Sequence, residues 1–463
     1  MFLRSTELNS LERICIRPGA DLVLIYGRRR LGKTTMILRL LEDRRGAYLY
    51  TPRGSLVDIL NSYLDALNSQ LSIDIFGKVS RFEEFLDLLY RISKKEKIII
   101  AIDEFQRIQE ADRSAISILQ DYWDRKLRFT QIKLILVGSL VGIIERLAIH
   151  GDAPLFGRLT SQIKIEPLPY SRARIFWKKL DIYDRVLAYG VFGGTPAYMD
   201  SYDFSIDIWG NIEILIVRKE GKLNNEPENL LASELRNPLV YMSILERISM
   251  GERGLPLGKI HVGESNIIPY IRKLEKMDIL KRIYPLNEPR RGALYAFKDE
   301  FFRFWFRYIR RYYWLIEMER YDVVLENIKS DINNYLGYTY EEILRELLVL
   351  LSGRKINGMK IPTFKKFGPF WERDLEVDAL GVSQDTIIVG ESKWQDKKLG
   401  IREISKILEK AELLAQKFGK KRYIVIILSK TGFRRDYSEE NIILLDHEKV
   451  EELFDRLTKN TIT

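Results

Sequence analysis

The stretch Asp21–Thr34, DLVLIYGRRRLGKT, sets the fold of the first part of this chain. Its first six residues form a buried-strand pattern, and the amphipathic run TMILRLLE follows the motif. The segment between them fits G-x-x-x-x-G-K-[ST], whose glycines let successive backbone N–H groups surround phosphate oxygens. The spacing therefore predicts a phosphate-binding loop between a strand and a helix. Its expected residues are Gly27, Arg28, Arg29, Arg30, Leu31, Gly32, Lys33, Thr34 and Thr35.

Further residues complete the expected nucleotide site. In this motif the lysine reaches the β- and γ-phosphates of ATP and the next hydroxyl ligates Mg²⁺, so Lys33 and Thr34 take those roles. The strand KIIIAID ends in Asp103, which we expect to hold the Mg²⁺. Glu104 follows it and is placed to polarise the attacking water. The strand KLILVG leads to Ser139, either a sensor of the γ-phosphate or water, or an ordinary strand-end serine.

Composition limits the remaining function classes. The 463 residues carry 75 Lys+Arg against 65 Asp+Glu, a net charge of +10, which alone is weak support for a nucleic-acid partner. No apolar run approaches the ~20 residues that span a bilayer, and the N-terminus lacks an apolar leader, so we expect a cytoplasmic protein without a membrane partner. One cysteine and three histidines exclude a disulfide framework and a histidine-rich metal site.

The expected fold class is α/β. Strand patterns alternate with helical patterns over the first two hundred residues, which predicts βαβ units and a parallel sheet. The pattern turns helical from about residue 231 to 313, and the tail returns to mixed α/β. We therefore predict a P-loop ATPase core at 1–180, a helical lid at 181–230, a middle domain with a connecting helix at 231–333 and a C-terminal domain at 334–463.

Several of these motifs together resemble one known family. GRRRLGKT, AIDEFQ, LVGS, FGR and GGTPAY are similar to segments of archaeal ATPases in the STAND/AAA-related P-loop group. The resemblance implies that Gly194 and Pro196, in the lid, lie over the nucleotide base and that Arg158 senses the γ-phosphate. A simple turn is the alternative for the glycine–proline segment. The chain departs from the family near its start, where LRS stands in place of a Gly-Arg-Glu element.

The middle domain has the element order of a winged helix-turn-helix. NPLVYMSILERISM, a short second helix around Leu257–His261, a third around Ile267–Met277 and a β-hairpin predict that layout. In such a domain the third helix enters the major groove of DNA and the wing contacts phosphate. A structural spacer or a protein-docking surface is the alternative. The cations expected near DNA are Arg272, Lys273, Lys276, Lys281, Arg282, Arg290 and Arg291.

The segment FKDEFFRFWFRYIRRYYW, residues 297–314, interleaves aromatic residues with arginines. Arginines at these spacings share a helical face that can follow a nucleic-acid backbone. We favour the other interpretation, an amphipathic core helix with a solvated basic face. The arginines concerned are Arg303, Arg307, Arg310 and Arg311.

Acids and one lysine cluster in the predicted strands of the tail. EVDALGV carries Asp378, and the next strand, TIIVGESKW, carries Glu391 and Lys393. Residues two apart on a strand face the same side, so Glu391 and Lys393 project together beside Asp378. Two carboxylates form a hard-oxygen site for Mg²⁺, and a nearby ammonium orients or deprotonates water. Asp378 and Glu391 are thus the expected metal ligands of a phosphodiester-cleaving site.

The αβββαβ order with these acids resembles the PD-(D/E)XK restriction-endonuclease-like fold. It is also similar to a C-terminal domain of unassigned function that is often fused to archaeal ATPases of the kind above. By position, the resemblance implies that Glu341, on the preceding helix, joins Asp378, Glu391 and Lys393 in catalysis. A nuclease-like domain kept for architecture, with its acids as surface charges, is the alternative.

The sequence therefore predicts an ATPase that binds ATP and Mg²⁺, contacts DNA and cuts phosphodiester bonds with its C-terminal domain. Lys33, Asp103, Glu104 and Arg158 are the expected catalytic residues of the ATPase. The competing hypothesis is a nucleotide-switched regulatory or scaffold protein that binds DNA or partner proteins without cutting. The sequence leaves open whether the chain forms a homo-oligomer.

Overall fold

Five parallel strands form the sheet of the N-terminal unit, in the order β2-β3-β4-β1-β5. The computed structural model describes residues 4–138, 155, 157–263, 266–287, 292–356, 358–372, 374–434 and 440–462. The chain divides into two units, Phe2–Glu166 and Pro167–Thr463. The strands of the first unit are β1 Asp21–Tyr26, β2 Gly46–Tyr50, β3 Ile98–Asp103, β4 Ile132–Gly138 and β5 Ser161–Lys164. Its helices are Ser5–Ile16, Lys33–Leu41, Leu56–Leu71, Phe82–Lys95, Gln106–Ala111 and Ala115–Arg125, with a 3₁₀ turn at Leu127–Phe129.

The order of these strands places the two nucleotide motifs at one edge of the sheet. β1 and β3 both pair with β4, and parallel strands all end at the same edge. The phosphate loop follows β1, and Asp103 is the last residue of β3. Every residue of β3 and β4 is buried because apolar clusters cover both faces of the sheet, as a parallel sheet requires. The predicted parallel α/β sheet is confirmed.

The second unit begins with a run of helices. In chain order its helices are Tyr170–Phe176, Ile182–Phe192, Pro196–Met199, Ile208–Ile212, Glu226–Glu234, Pro238–Ser249, Ile268–Lys276, Glu300–Phe304, Tyr313–Glu317, Tyr321–Leu351, Ile401–Lys417 and His447–Ile462. Two stretches, Glu213–Val217 and Trp305–Arg310, take π-helical hydrogen bonds. No helix in the described ranges is both long and apolar enough to cross a bilayer.

A small three-stranded sheet occupies the middle of this unit. Its order is β6-β8-β7, with antiparallel pairs formed by β6 Leu255–Pro256, β7 Leu280–Ile283 and β8 Leu294–Phe297. The predicted second helix around Leu257–His261 is wrong, since the segment forms only the 3₁₀ turn Leu257–Lys259. Gly258 lies inside this segment and disfavours a longer helix, because glycine loses more backbone freedom on folding than other residues do.

A second five-stranded sheet forms the C-terminal part, in the order β11-β12-β13-β14-β15. β11 to β13 pair antiparallel, whereas β13, β14 and β15 pair parallel. The Tyr321–Leu351 helix lies against β13, where a Cβ on Gly390 would stand 2.6 Å from Leu348. The strands are β11 Lys366–Glu372, β12 Leu375–Val382, β13 Thr386–Lys393, β14 Arg422–Ser429 and β15 Ile442–Asp446, preceded by the short pair β9 Lys355–Ile356 and β10 Met359–Lys360.

Candidate functional site

Two glycines give the phosphate loop its path. A Cβ on Gly27 would stand 2.3 Å from the carbonyl oxygen of Ile165, so only glycine allows this close approach. Gly32 has φ +81°, a left-handed conformation that side chains disfavour, and the helix begins at the next residue, Lys33. The Lys33 ammonium donates to the carbonyl oxygens of Gly27 and Arg28, at 2.8 Å each. Lys33 thus bonds to the carbonyl groups of its own loop, and its ammonium lies where the motif predicts that a phosphate binds.

Asp103 joins the loop to β3 through its carboxylate. Its Oδ2 atom accepts hydrogen bonds from the Thr34 hydroxyl at 2.7 Å and from the Tyr48 hydroxyl at 2.8 Å. Its Oδ1 atom accepts the backbone N–H of Glu104 at 2.8 Å. Burial, followed by the charge of Asp103, raises the pKa of Tyr48, so this phenol remains a hydrogen-bond donor. The two residues expected to hold Mg²⁺, Thr34 and Asp103, are therefore in contact, and a hydroxyl–carboxylate pair suits this hard cation.

Glu104 turns sharply out of β3. Its φ of +54° is left-handed, which directs the side chain away from the strand direction. Its Oε2 atom accepts from Gln106 Nε2 at 2.7 Å and lies 3.6 Å from an Arg107 guanidinium nitrogen and 4.0 Å from one of Arg29. This carboxylate is thus held at the edge of the loop by an amide and two guanidinium groups, where a residue that polarises water is expected. Nothing in the sequence pattern indicated Tyr48 or Arg107 as part of this site.

Arg158 does not join this loop. Its guanidinium forms a two-pronged ion pair with Asp124, with N···O distances of 2.8 to 3.0 Å. Thr160, two residues on, donates to Leu22 near the start of β1, whereas the phosphate loop follows the other end of that strand. The structure therefore corrects the expectation that Arg158 senses the γ-phosphate within one chain, because the length of β1 separates it from the loop. Ser139 lies outside the described residues.

Gly194 and Pro196 belong to the second unit. The Gly194 carbonyl accepts the Leu168 N–H at 2.7 Å, and a Cβ on Gly194 would stand 1.8 Å from the Leu168 carbonyl oxygen. Pro196 opens the Pro196–Met199 helix, where its missing N–H costs nothing. The backbone pairing alone thus explains the glycine, and a contact with the nucleotide base stays a prediction.

The C-terminal acids meet on neighbouring strands. The antiparallel register pairs Ala379 with Gly390, so Asp378 and Glu391 are the next opposed positions. Asp378 Oδ2 accepts the backbone N–H of Ser392 at 2.8 Å and its hydroxyl at 3.0 Å. Glu391 lies between two ammonium groups, with Lys393 at 3.2 Å and Lys410 at 3.0 Å. The structure therefore brings the predicted triplet together and adds Lys410.

Glu341 reaches the same place from the Tyr321–Leu351 helix. Arg253 links it to the sheet, because one guanidinium nitrogen lies 2.6 Å from Glu341 and 3.5 Å from Asp378. Another nitrogen of Arg253 pairs with Glu376. Arg345 donates to the Asp378 carbonyl at 2.7 Å and lies 3.6 Å from Glu341. Nothing in the sequence pattern indicated Arg253 or Glu376, because Arg253 lies 88 residues from Glu341 along the chain and on another element.

Burial and mutual charge set the protonation of these groups. Burial raises the pKa of Glu341 to about 7, and the charge of Asp378 adds to the rise. Burial opposes the charged form of Lys393, but the negative charges of Glu391 and Asp378 outweigh it and raise the lysine pKa. Within the described residues, no group of three or more His, Cys, Asp or Glu side chains is arranged to hold a metal ion. The carboxylates are instead matched to arginine and lysine.

Two of the seven cations expected to contact DNA form ion pairs with acids of the protein. Lys281 pairs with Glu342 at 2.6 Å and Arg282 with Glu275 at 2.6 Å. The hairpin also reaches β11, since the Leu286 N–H donates to the Pro369 carbonyl. Arg290 and Arg291 lie outside the described residues. The β7–β8 hairpin segment therefore contacts the Tyr321–Leu351 helix through Lys281 and the C-terminal sheet through Leu286, and DNA contact by this domain stays a prediction.

Two of the four arginines of the 297–314 segment, Arg303 and Arg307, are not solvated, whereas Arg311 is exposed. Arg303 is buried, bonds to Glu300 at 2.6 Å and stacks 3.9 Å from the centroid of the Tyr335 ring. Arg307 bonds to Asp331 at 2.6 Å. The segment packs as a core helix, and the prediction of a solvated basic face is corrected for Arg303 and Arg307, because Glu300 and Asp331 form buried and half-buried ion pairs with them.

Comparisons with known proteins find a family match in two parts of the chain. Residues 1–201 match a family described as an ATPase domain predominantly from Archaea. Residues 305–407 match a second family, described as "Archaea bacterial proteins of unknown function". The first match contains the phosphate loop, Asp103 and Glu104, and the second contains Glu341, Asp378, Glu391 and Lys393.

A relative is similar over nearly the whole chain. An uncharacterized protein of Methanocaldococcus jannaschii is 31% identical over 412 residues, which are 87% of this chain and 89% of the relative. The chain belongs to this family, in which an archaeal P-loop ATPase domain precedes a domain of the second family. Its N-terminal domain is an ATP-binding ATPase domain.

Solved structures are more distant. A Walker-type ATPase of Pyrococcus abyssi is 19% identical with a TM-score of 0.48, over 66% of this chain and 96% of that one. The Orc2 protein of Aeropyrum pernix, solved in ADPNP and ADP complexes, is 13% identical with a TM-score of 0.44, over 70% of this chain and 94% of that one. Likenesses this distant say nothing about what this chain binds.

Proposed function

We propose that the C-terminal domain of this ATPase cleaves phosphodiester bonds in DNA with a divalent metal, and that the nucleotide state of the N-terminal domain governs the cleavage. The observation that carries the proposal is the meeting of Asp378, Glu391 and Lys393 on β12 and β13 beside Glu341. Three acids from three elements converge with two ammonium groups, those of Lys393 and Lys410, which is more than a solvated strand end requires.

Each residue has a separate task in this proposal. Asp378 and Glu391 supply hard oxygen ligands, and Ser392 holds the Asp378 carboxylate in place through two hydrogen bonds. The ammonium of Lys393, 3.2 Å from Glu391, is placed to orient a water molecule and to stabilise negative charge on a phosphate. The metal, when bound, supplies Lewis-acid polarisation of the phosphate. Glu341 contributes a third carboxylate from the helix.

ATP hydrolysis is assigned to the N-terminal loop. Lys33 would bind the β- and γ-phosphates, and Thr34 and Asp103 would hold Mg²⁺. Glu104, anchored by Gln106 and Arg107, would polarise the attacking water. DNA contact by the middle domain rests on Arg272, Lys273 and Lys276 of the Ile268–Lys276 helix, which has the position of a recognition helix in a winged domain.

A second function is favoured by a separate observation. Arg253, Lys393 and Lys410 already neutralise the C-terminal acids, and the described residues form no three-ligand metal group. Such pairing fits a nucleotide-switched regulatory protein whose nuclease-like domain docks other segments. In that case the acids are structural ion-pair partners.

A cleavage assay separates the two functions. Purified full-length protein is incubated with single-stranded, double-stranded and branched DNA in Mg²⁺ or Mn²⁺, with and without ATP. The nuclease proposal expects metal-dependent products that Lys393→Ala reduces at least 100-fold while ATP turnover stays unchanged. Lys397→Ala, a nearby lysine outside the cluster, is the matched control and should cut like the wild type. Absence of products with every substrate in both metals would leave the regulatory function.

A further inference from the structure

Arg253 forms ion pairs with three acids of the second unit, Glu341, Glu376 and Asp378. It lies in the turn between the Pro238–Ser249 helix and β6, whereas its partners come from the Tyr321–Leu351 helix and β12. Its guanidinium is 2.6 Å from Glu341 and 3.5 Å from Asp378, and it also pairs with Glu376. One side chain from the middle domain thus neutralises three carboxylates of the C-terminal domain.

Two glycines fix the backbone of this turn. Gly254 has φ +106°, and a Cβ there would stand 2.4 Å from the Tyr295 carbonyl oxygen on β8. A Cβ on Gly251 would stand 2.5 Å from the Gly254 carbonyl oxygen. The main chain at Arg253 is therefore held against the small sheet, while the Arg253 side chain is 42% exposed. The guanidinium can leave the acids by rotation of its own side chain, without movement of the turn.

The space around the guanidinium is open enough for another occupant. A cavity of about 320 Å³ and a second of about 540 Å³ adjoin Arg253, and both are also lined by Tyr338 and Glu341. Tyr338 is 7% exposed, and its hydroxyl has no hydrogen-bond partner among the described residues. A buried hydroxyl without a partner is costly, which indicates a polar occupant of these cavities.

A guanidinium and a divalent cation cannot both occupy this position. Both are positive, and each needs the same carboxylate oxygens of Glu341 and Asp378. One nitrogen of Arg253 lies 2.6 Å from a Glu341 oxygen and 3.5 Å from an Asp378 oxygen, which is the position that a metal bound by both acids would need. With Arg253 in this position, the described part of the chain shows no three-ligand metal group.

We propose that Arg253 is an internal competitor for the divalent cation of the C-terminal site, so that Mg²⁺ or Mn²⁺ binds at Glu341 and Asp378 only when the guanidinium withdraws. A role of this competition in controlling DNA cleavage rests on the proposed nuclease function. The competition between Arg253 and the metal for the carboxylates does not rest on it. A phosphate group is the anion best suited to draw the guanidinium away, because arginine binds phosphate through two parallel hydrogen bonds.

The test measures metal binding directly. Mn²⁺ is titrated into nucleotide-free, full-length protein, and free Mn²⁺ is followed by electron paramagnetic resonance. Arg253→Ala is expected to bind one Mn²⁺ per chain at least tenfold more tightly than the wild type. Asp378→Asn in the Arg253→Ala background should abolish that gain. Arg247→Ala, which removes an arginine from the same helix–turn segment but not from the acids, should match the wild type.

A second variant tests whether misfolding of Arg253→Ala could account for the result. Arg253→Gln removes the charge but keeps a polar side chain, and it should gain Mn²⁺ affinity like Arg253→Ala. Each uncharged variant should also show a larger rise in Tm with Mn²⁺ than the wild type, because the metal binds only the folded chain. Equal Mn²⁺ affinity in wild type, Arg253→Ala and Arg253→Gln overturns the proposal, whether or not the protein cuts DNA. Tighter Mn²⁺ binding without any cleavage supports the competition and refutes the nuclease.

Discussion

The Thr34 hydroxyl donates a 2.7 Å hydrogen bond to the carboxylate of Asp103, 69 residues further along the chain. This contact joins the loop after β1 to the end of β3, and the parallel strand order is what makes it possible. The oxygen that accepts from Thr34 also accepts from Tyr48. If Mg²⁺ were to take the Thr34 hydroxyl as a ligand, the Tyr48 hydroxyl would still donate to this oxygen.

Replacing the loop lysine should remove nucleotide binding. Lys33→Ala deletes the ammonium that lies 2.8 Å from two loop carbonyls and that the motif assigns to phosphate. We expect at least a tenfold loss of ATP affinity, measured with a fluorescent nucleotide analogue. Lys164→Ala, a lysine on β5, is the matched control and should bind as the wild type does. Unchanged affinity in Lys33→Ala would refute the loop assignment.

Tyr48→Phe should weaken Mg²⁺ binding but spare nucleotide binding. The variant loses only the hydroxyl that orients Asp103, so the metal ligand gains rotational freedom. We expect about a fivefold rise in the Mg²⁺ concentration needed for half-maximal ATP hydrolysis, since one hydrogen bond contributes about 1 kcal/mol net. Nucleotide affinity in EDTA should stay constant. Tyr50→Phe, whose hydroxyl contacts Arg107 instead, is the control, and an equal effect of both variants would contradict this role.

Gly194→Ala should destabilise the folded chain. Its new Cβ would stand 1.8 Å from the Leu168 carbonyl oxygen, so the Leu168–Gly194 backbone pair must separate. We expect a loss of about 1–3 kcal/mol in the free energy of unfolding, measured with urea. Gly337→Ala is the control, because that helical glycine has no atom within 4 Å of a new Cβ. It should be neutral or stabilising by about 1 kcal/mol.

Stability should fall in mild acid because of His447. Burial lowers the pKa of this imidazole below its ordinary value of about 6.5, and its nitrogens contact Tyr340 and the Ile182 carbonyl. The unfolded chain then binds more protons than the folded chain as pH drops below 6.5, so the free energy of unfolding decreases there. His447→Gln should flatten the Tm difference between pH 7.5 and pH 5.5. His261→Gln should leave it unchanged, and a similar flattening there would count against this assignment.

Motifs made of adjacent residues were predictable from the sequence. The strand–loop–helix at Gly27–Thr34 and the acids at the ends of β3 and in β12 and β13 follow from local spacing and strand periodicity. Arg253 was not predictable, because its importance depends on packing between the middle and C-terminal segments. The position of Arg158 was not predictable either, because it depends on tertiary packing. Its ion pair with Asp124 places it near the start of β1, whereas the phosphate loop follows the end of that strand. Tyr48 carried no signal because a tyrosine on a strand is ordinary.

The most direct measurement is single-turnover DNA cleavage in Mn²⁺. It compares the wild type, Arg253→Ala and the double variant Arg253→Ala/Glu391→Gln, and ATP hydrolysis is followed in the same samples. Our account predicts that Arg253→Ala cuts at least tenfold faster than the wild type. It also predicts that the double variant does not cut, and that all three proteins hydrolyse ATP at the same rate. Cleavage that survives Glu391→Gln, or no cleavage by Arg253→Ala despite tight Mn²⁺ binding, would contradict it.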